Sequence, residues 1–309
     1  MPGIGVGHAE HLWDTDLVED GWLDGDVPLH YVQWCPTDKA REPSLLLIHG
    51  TSSNALYWTR LARYLGDRRV VALDLRGHGR SAHPESGYSV EEMAADAARA
   101  VDRLGLEHSL LVGHSFGVAV ALQLASARPN LITGAVLVDG PVSSLSKCLS
   151  WPEAERQMRT PSPIYQDLGE AEAAQAGLLG PAWGDDLRDF VRAGFRRTEA
   201  GWVPMLPEGP RLEMLQSLYD FYPDDLLPRV RGPVLMVMGS NSVDGVAPDV
   251  LACWRTGAEH AVRHSQLGRV ITYPSQHDIP LVKPIELAGG VKQTAVQTAS
   301  FSGLPNRVP

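Results

Sequence analysis

Short apolar runs alternate with longer stretches of helical spacing along most of the chain. The runs are rich in Val, Leu, Ile and Ala and occupy residues 45–48, 70–73, 110–112, 135–138, 234–238 and 270–273. Continuous apolar runs of this length are typical of strands that are buried on both faces of a sheet. Their alternation with helices predicts an α/β fold, with a mostly parallel twisted sheet and helices on both faces.

Local signals mark two further elements. Residues 17–34 have the pattern of a β-hairpin, with Asp24, Gly25 and Asp26 supplying the turn. A helix is predicted from Val90, because Ser89 and Glu92 have the spacing of a capping box. Its apolar face repeats at helical intervals and ends near Gly105.

The strand pattern stops between residues 141 and 231. Helical stretches are predicted there around residue 171 and over 187–195 and 212–222. We therefore expect a helical cap at 141–231, inserted between core segments 1–140 and 232–309. Nine of the chain's 21 aromatic residues fall in this insertion, which predicts a small helical core with some rings left to line a pocket.

Composition narrows the class of protein. The chain is 44% hydrophobic, but its apolar runs are far shorter than a membrane span and no secretory signal is visible, so we expect a cytoplasmic protein. A net charge of -10 disfavours nucleic acid and anionic membranes as partners. Three widely separated cysteines indicate reduced thiols rather than a disulfide framework or a zinc site. The oligomeric state is left open.

The residues Gly113, His114, Ser115, Phe116 and Gly117 carry the strongest chemical signal. They lie between a predicted strand and a predicted helix, and small residues flank the serine where the chain must turn sharply. A turn of this kind projects the serine hydroxyl out of the bend. The motif therefore predicts that Ser115 is a nucleophile.

Three other segments support the interpretation of Ser115 as a nucleophile. They are His49-Gly50-Thr51-Ser52, the loop at residues 74–81, and Ser275-Gln276-His277-Asp278 near the end of the chain. With these motifs in this order, the chain resembles cap-bearing, esterase-like serine hydrolases of the α/β-hydrolase superfamily over about residues 18–298. The resemblance implies that Ser115 is the nucleophile and His277 its base. It implies that the backbone N–H groups of Thr51 and Phe116 form the oxyanion hole, and that neither a cofactor nor a metal is required.

The acid that orients His277 has two candidates. Asp244 follows the run at 234–238 and lies where the acid of the resembled family commonly falls. Asp139 follows the run at 135–138, which is the position that some cap-bearing relatives use instead. Asp244 is the first choice and Asp139 the alternative. Within the loop at 74–81, the resemblance implies that Asp74 and Arg76 have a structural role.

The resemblance implies a serine hydrolase that cleaves a carboxylic ester of a small to medium, partly apolar substrate through an acyl-enzyme. The same residues are compatible with lactone, thioester or carbon–carbon bond hydrolysis and with peracid formation. Epoxide and haloalkane hydrolysis are disfavoured because those enzymes use an aspartate nucleophile, and position 115 is serine. The alternative of a different class is a member of the fold that binds a ligand without turnover.

Overall fold

The computed structural model describes residues 18–34, 40–159, 162–240, 248–265 and 267–301. Its strands are β1 (Val18–Leu23), β2 (Leu29–Trp34), β3 (Arg41–Ile48), β4 (Arg68–Leu73), β5 (Ser109–His114), β6 (Ile132–Val138), β7 (Phe195–Thr198), β8 (Gly201–Pro204), β9 (Val234–Gly239) and β10 (Gly268–Tyr273). Its helices are α1 (Thr59–Ala62), α2 (Val90–Leu104), α3 (Phe116–Ala127), α4 (Trp151–Met158), α5 (Leu168–Leu179), α6 (Arg188–Ala193), α7 (Glu208–Tyr219), α8 (Pro223–Leu226), α9 (Pro248–His264), α10 (Ile279–Val282) and α11 (Pro284–Phe301).

Eight strands form one mixed sheet in the order β1-β2-β4-β3-β5-β6-β9-β10. The pairs β1–β2 and β2–β4 are antiparallel, and every later neighbour is parallel. The predicted sheet and the predicted hairpin at its edge are both confirmed. Because parallel strands share a direction, the ends of β5, β6, β9 and β10 lie along one edge of the sheet.

Both faces of the sheet are buried, as the continuous apolar runs predict. Along β3, Leu46 and Ile48 pack in one hydrophobic cluster, which includes residues of α2 and α3. Leu45 and Leu47 pack in the other cluster, which includes residues of α1 and α11. Successive strand residues point to opposite faces, so each run needs apolar residues at every position.

The predicted capping box of α2 is present. The Ser89 hydroxyl accepts a hydrogen bond from the backbone N–H of Glu92, and the Glu92 carboxylate accepts one from the Ser89 N–H. The helix ends at Gly105, which has a left-handed φ of 61°. Both ends of this helix are therefore those that the sequence predicts.

Residues 141–231, called the inserted segment below, connect β6 to β9. Helices α5, α6 and α7 match the three predicted helical stretches, whereas α4 and the short β7–β8 hairpin were not predicted. An aromatic cluster that includes Tyr165, Trp183 and Phe195 packs inside this segment. The sequence does not predict this hairpin because its strands have four residues each, are only partly buried and show no clear alternation of apolar and polar residues.

Polar contacts fix the inserted segment to the sheet-bearing core at several places, of which two involve charged side chains that bridge the segment and the core. Arg60 of α1 donates two hydrogen bonds to the Asp186 carboxylate, at 2.7 and 2.8 Å. On the other side, Glu213 of α7 accepts hydrogen bonds from the backbone N–H groups of Gly87 and Tyr88. Charge-assisted bonds of this kind hold the segment in one orientation over the core.

Two expectations from composition can be compared with the fold. No helix among the described residues is both long and apolar enough to cross a membrane. Cys148, just before α4, is disulfide-bonded. The prediction of reduced thiols, which was based on cysteine number and spacing alone, is therefore wrong for this residue.

Candidate active site

Ser115 lies at a sharp turn between β5 and α3. Its backbone has φ 53° and ψ -122°, a conformation that is strained for a residue with a side chain. The two flanking glycines make this turn possible, because a Cβ atom on Gly113 would lie 2.3 Å from the Gly117 carbonyl oxygen. A Cβ atom on Gly117 would lie 2.2 Å from the Ile48 carbonyl oxygen. Side chains at either position would therefore block the turn.

His277 lies in the loop after β10, and its ring contacts a carboxylate. The Nδ1 atom of His277 lies 2.8 Å from Oδ2 of Asp139, which directly follows β6. The other carboxylate oxygen, Oδ1, accepts a hydrogen bond from the Gly239 N–H at 2.9 Å. One oxygen of Asp139 is thus held by the end of the neighbouring strand β9, while the other faces the imidazole.

Of the two candidate acids, the structure brings Asp139 to His277. Asp244, the first choice from the sequence, lies outside the described residues. Asp139 follows β6 and His277 follows β10, and β9 lies between these two parallel strands, so both residues lie at the same edge of the sheet. Its φ of 45° lies in the left-handed region, which aspartate tolerates better than most residues.

His277 also contacts the residue that precedes Ser115. The Nε2 atom of His114 lies 3.0 Å from the His277 carbonyl oxygen, and the two imidazole rings lie 4.6 Å apart between centroids. His114 is the last residue of β5, so Ser115 and His277 share one edge of the sheet. These contacts bring the predicted nucleophile and the predicted base into one site.

A buried network continues from His114 to the loop that carries His277. The Tyr57 hydroxyl lies 3.3 Å from His114 Nε2 and donates a hydrogen bond to the Asp278 carboxylate at 3.0 Å. Burial and the neighbouring His277 lower the pKa of His114 to about 3, so this ring is neutral. A neutral ring protonated at Nε2 donates to the His277 carbonyl and thereby fixes the His277 backbone.

The surroundings of His277 favour its protonated form. Burial lowers the pKa of its imidazole, but the hydrogen bond to Asp139 and the negative charges of Asp139 and Asp278 outweigh that effect. The net result is a pKa raised above 6.5. A carboxylate placed in this way stabilises the imidazolium that forms when the ring accepts a proton.

The two predicted oxyanion donors, Thr51 and Phe116, belong to segments that approach Ser115. Phe116 is the first residue of α3, where a backbone N–H has no acceptor within the helix. Thr51 follows Gly50, whose Cα lies against the serine: a Cβ atom built there would be 2.7 Å from Ser115 Cβ and 3.3 Å from Ser115 Oγ. The chain therefore brings the loop of Thr51 close to the serine hydroxyl.

Neutral histidines hold that loop in place. His49 Nε2 accepts a hydrogen bond from the Leu75 N–H at 3.1 Å, and His78 Nε2 accepts one from the Ser52 N–H at 3.1 Å. Burial lowers the pKa of both rings, that of His78 to about 3. Each ring therefore keeps one nitrogen unprotonated as an acceptor.

The loop at 74–81 has the structural role that the sequence indicates. Asp74 accepts hydrogen bonds from the N–H groups of Ala55 and Arg80, at 2.6 and 3.0 Å. Arg76 donates to the Asp96 carboxylate at 2.7 Å. The prediction that Asp74 and Arg76 hold this loop by hydrogen bonds is confirmed.

Comparison with known proteins decides the family. A family model described as the alpha/beta hydrolase fold matches residues 43–187, which include the Ser115 turn and the loop of Thr51. The chain belongs to the α/β-hydrolase superfamily. The fold that the sequence predicts is therefore confirmed.

Several similar members of this α/β-hydrolase superfamily are hydrolases. The chain is 28% identical over 262 residues to a 2-(acetamidomethylene)succinate hydrolase of Mesorhizobium japonicum, covering 80% of this chain and 92% of that protein. It is 28% identical to Lipase LipV of Mycobacterium tuberculosis, covering 86% and 97%. A crystal structure of E-2-(acetamidomethylene)succinate hydrolase superimposes with a TM-score of 0.72 at 26% identity, covering 90% of this chain and 98% of that one.

For this α/β-hydrolase, reasoning from the sequence missed the Tyr57, His114 and Asp278 network. His114 and Asp278 lie next to Ser115 and His277 in the printed motifs, so adjacency is the signal that could have found them. Tyr57 comes from a short 3-10 turn far away in the chain. Its contact with Asp278 spans 221 positions and has no sequence signal.

Proposed function

We propose that this protein is a serine hydrolase that cleaves a carboxylic ester through an acyl-enzyme on Ser115. The observation that carries the proposal is the 2.8 Å hydrogen bond between His277 and Asp139, beside a strained serine turn. A serine hydroxyl is a weak nucleophile, and an imidazole oriented by a carboxylate activates it. The hydrolase names of the relatives support the same reaction class.

In the acylation step, Ser115 Oγ attacks the ester carbonyl carbon while its proton passes to Nε2 of His277. With Nδ1–H donating to Asp139, Nε2 is the unprotonated nitrogen of the neutral ring. The Oγ–C bond forms, and the carbonyl electron pair moves to the oxygen. The N–H groups of Thr51 and Phe116 then stabilise that oxyanion.

The intermediate collapses when the bond between carbon and the alcohol oxygen breaks and His277 returns its proton to the departing alcohol. The acyl group remains on Ser115. In the second half of the reaction, His277 takes a proton from water as the water oxygen attacks the acyl carbon. The bond between that carbon and Ser115 Oγ then breaks, and His277 passes the proton to Oγ. The products are a carboxylic acid and an alcohol, and the serine is restored.

Asp139 acts in this mechanism as the acid of the triad, in place of Asp244. Its second oxygen is held by the Gly239 N–H, so the carboxylate keeps one orientation throughout the reaction. The inserted segment acts as a cap, since hydrogen bonds from Arg60 and to Glu213 fix it over the core.

A substrate panel tests the reaction class. We expect turnover of p-nitrophenyl esters of short to medium acyl chains, because the proposed oxyanion hole and base serve any carbonyl that reaches Ser115. The panel also includes lactones, thioesters and diketones, which need the same residues. Release of p-nitrophenol and of acid is measured for each. Turnover of diketones alone, with every ester unreactive, would overturn the ester assignment.

The acid limb of the pH profile tests the role of His277. The base must be neutral to accept the serine proton, so kcat/KM falls as pH drops through the pKa of His277 in the free enzyme. Because that pKa is raised above 6.5, the midpoint of the limb is expected above 6.5. Asp139→Asn removes a raising influence and shifts the midpoint to lower pH. His260→Gln changes an exposed histidine of α9 and is the control, so the midpoint is expected to stay in place in that variant. A midpoint that does not move in Asp139→Asn would contradict the assignment of Asp139 as the partner of His277.

A further inference from the structure

The Tyr57 side chain is buried but carries a polar group. It belongs to the 3-10 turn Ala55–Trp58, which follows the loop of the proposed oxyanion donor Thr51, and it is only 2% exposed. A buried hydroxyl costs free energy unless hydrogen bonds replace its contacts with water. A phenylalanine would fill almost the same space without that cost. Packing alone therefore does not account for the hydroxyl.

The Tyr57 hydroxyl has two hydrogen-bond partners, which come from two different parts of the proposed active site. It donates to the Asp278 carboxylate at 3.0 Å, and its oxygen lies 3.3 Å from Nε2 of His114. Asp278 directly follows His277 in the chain, and His114 directly precedes Ser115. The hydroxyl thus links the loop of the proposed base to the turn of the proposed nucleophile.

The direction of these hydrogen bonds follows from the chemistry of His114. Its Nε2 atom also lies 3.0 Å from the His277 carbonyl oxygen, which can only accept, so Nε2 carries the proton. The same N–H group faces the Tyr57 oxygen. The phenolic proton is then directed to the Asp278 carboxylate, and a charged acceptor makes that hydrogen bond the stronger one.

The Tyr57 ring is held on more than one side, which fixes the direction of its hydroxyl. It stacks on the His114 imidazole at 4.9 Å between centroids, and it lies 5.6 Å from the ring of Phe190 in the inserted segment. Asn54 anchors the turn that carries Tyr57. Its Oδ1 atom accepts from the Leu56 N–H at 3.0 Å, and its Nδ2 donates to the Phe190 carbonyl at 2.9 Å. The hydroxyl is therefore a preorganised donor.

These contacts fix the backbone around His277 rather than its ring. His114 holds the carbonyl of His277, and Tyr57 holds the side chain of the next residue, Asp278. Asp139, by contrast, contacts the imidazole itself. A general base must lie within hydrogen-bond reach of the proton that it accepts, and a small displacement of such a group lowers the rate strongly. The ring and the backbone that carries it are thus held by different residues.

We propose that Tyr57 is a positioning residue whose hydroxyl holds the imidazole of His277 within reach of Ser115. It does so through its hydrogen bonds with Asp278 and His114, and its effect on the rate passes through the base. This inference rests on the proposed ester hydrolysis at Ser115.

Tyr57→Phe tests the inference, because it removes the hydroxyl and keeps the ring. His277 acts in both halves of the proposed reaction, so both halves slow together. We expect kcat for p-nitrophenyl esters to fall about 10- to 100-fold, with KM within about threefold of the wild type. The thermal midpoint of unfolding is measured for each variant to confirm that it folds.

Tyr88→Phe is the matched control. The Tyr88 ring is also buried, and its hydroxyl donates to the Pro84 carbonyl at 2.7 Å, in the loop before α2. We expect its kcat to stay within about twofold of the wild type. A Tyr57→Phe variant as active as Tyr88→Phe would overturn the proposal while leaving the ester hydrolase assignment intact.

A double-mutant cycle tests whether the effect passes through the hydrogen bond to Asp278. In an Asp278→Ala background, Tyr57→Phe is expected to lower kcat by less than about threefold, because the acceptor is already gone. Asp278→Asn retains an oxygen acceptor and is expected to restore part of the turnover that Asp278→Ala loses. An equal loss from Tyr57→Phe in the wild-type and Asp278→Ala backgrounds would overturn the proposal.

Proton NMR of the free enzyme gives a readout that needs no turnover. The Nδ1–H proton of His277 is expected far downfield, because it lies in a charge-assisted hydrogen bond of 2.8 Å to Asp139, and its loss in Asp139→Asn assigns it. We expect Tyr57→Phe to shift or broaden this resonance and Tyr88→Phe to leave it unchanged. A resonance that Tyr57→Phe does not change would overturn the positioning role even if kcat fell. A resonance that changes in a protein that cleaves no ester would overturn only the ester assignment.

Discussion

Replacing Ser115 by alanine is expected to lower kcat for p-nitrophenyl ester hydrolysis by about 10⁶-fold, the loss typical of removing the nucleophile of a serine hydrolase. The physical reason is that no other hydroxyl occupies the strained turn between β5 and α3, where the serine lies beside Gly50 and the residue that contacts His277. The variant keeps its fold, since alanine is smaller than serine in the same backbone conformation. Initial rates and the thermal midpoint of unfolding are measured together.

Ser126→Ala is the matched control for that variant. Ser126 lies near the end of α3, where its hydroxyl donates a hydrogen bond to the Gln123 carbonyl and has no contact with His277. We expect its turnover to stay within about twofold of the wild type, in line with its distance from the reacting atoms. Ester turnover that survives Ser115→Ala would remove the serine from the mechanism. Tight ligand binding without turnover in the wild type would instead favour the non-catalytic alternative.

Replacing Asp139 by asparagine is expected to lower kcat by about 10⁴-fold, because an amide neither stabilises the imidazolium nor holds the ring in the right tautomer. Asparagine keeps the size of the side chain and leaves an oxygen to accept the Gly239 N–H bond that Asp139 accepts at 2.9 Å. The variant thus tests the charge rather than the packing. Steady-state kinetics across the acid limb measure both the rate and the shift of its midpoint.

The companion variant Asp244→Asn decides between the two candidate acids. If Asp139 is the acid, Asp244→Asn changes kcat by less than about twofold, as is usual for a side chain outside the reacting groups. A large loss with Asp244→Asn and a small one with Asp139→Asn would reverse the assignment. In that case the 2.8 Å contact of Asp139 with His277 would serve only to position the loop.

Much of the scaffold could be predicted from the sequence because its signals are local. Apolar runs such as 45–48 and 110–112 predict a strand and also predict that both faces of the sheet are buried there. This follows because successive side chains of a strand point to opposite faces of the sheet. The Ser89 and Glu92 pair marks the start of α2 in the same way. The two glycines around Ser115 mark a turn whose close backbone contacts leave no room for a Cβ atom.

The acid could not be identified in the same way, because its identity depends on which carboxylate reaches His277 at the edge of the sheet. Asp139 and Asp244 both follow apolar runs, and sequence order alone does not say which carboxylate meets His277. The structure supplies that information through a side-chain contact between residues 138 positions apart, Asp139 and His277.

A covalent label tests the central claim most directly. The wild-type protein is treated with a fluorophosphonate probe, and its intact mass and peptides are then analysed by mass spectrometry. The account predicts a single adduct on the peptide that contains Ser115, slower labelling of Asp139→Asn, and none in Ser115→Ala. An unlabelled wild-type protein under conditions that label a control esterase, or an adduct that persists in Ser115→Ala, would contradict it.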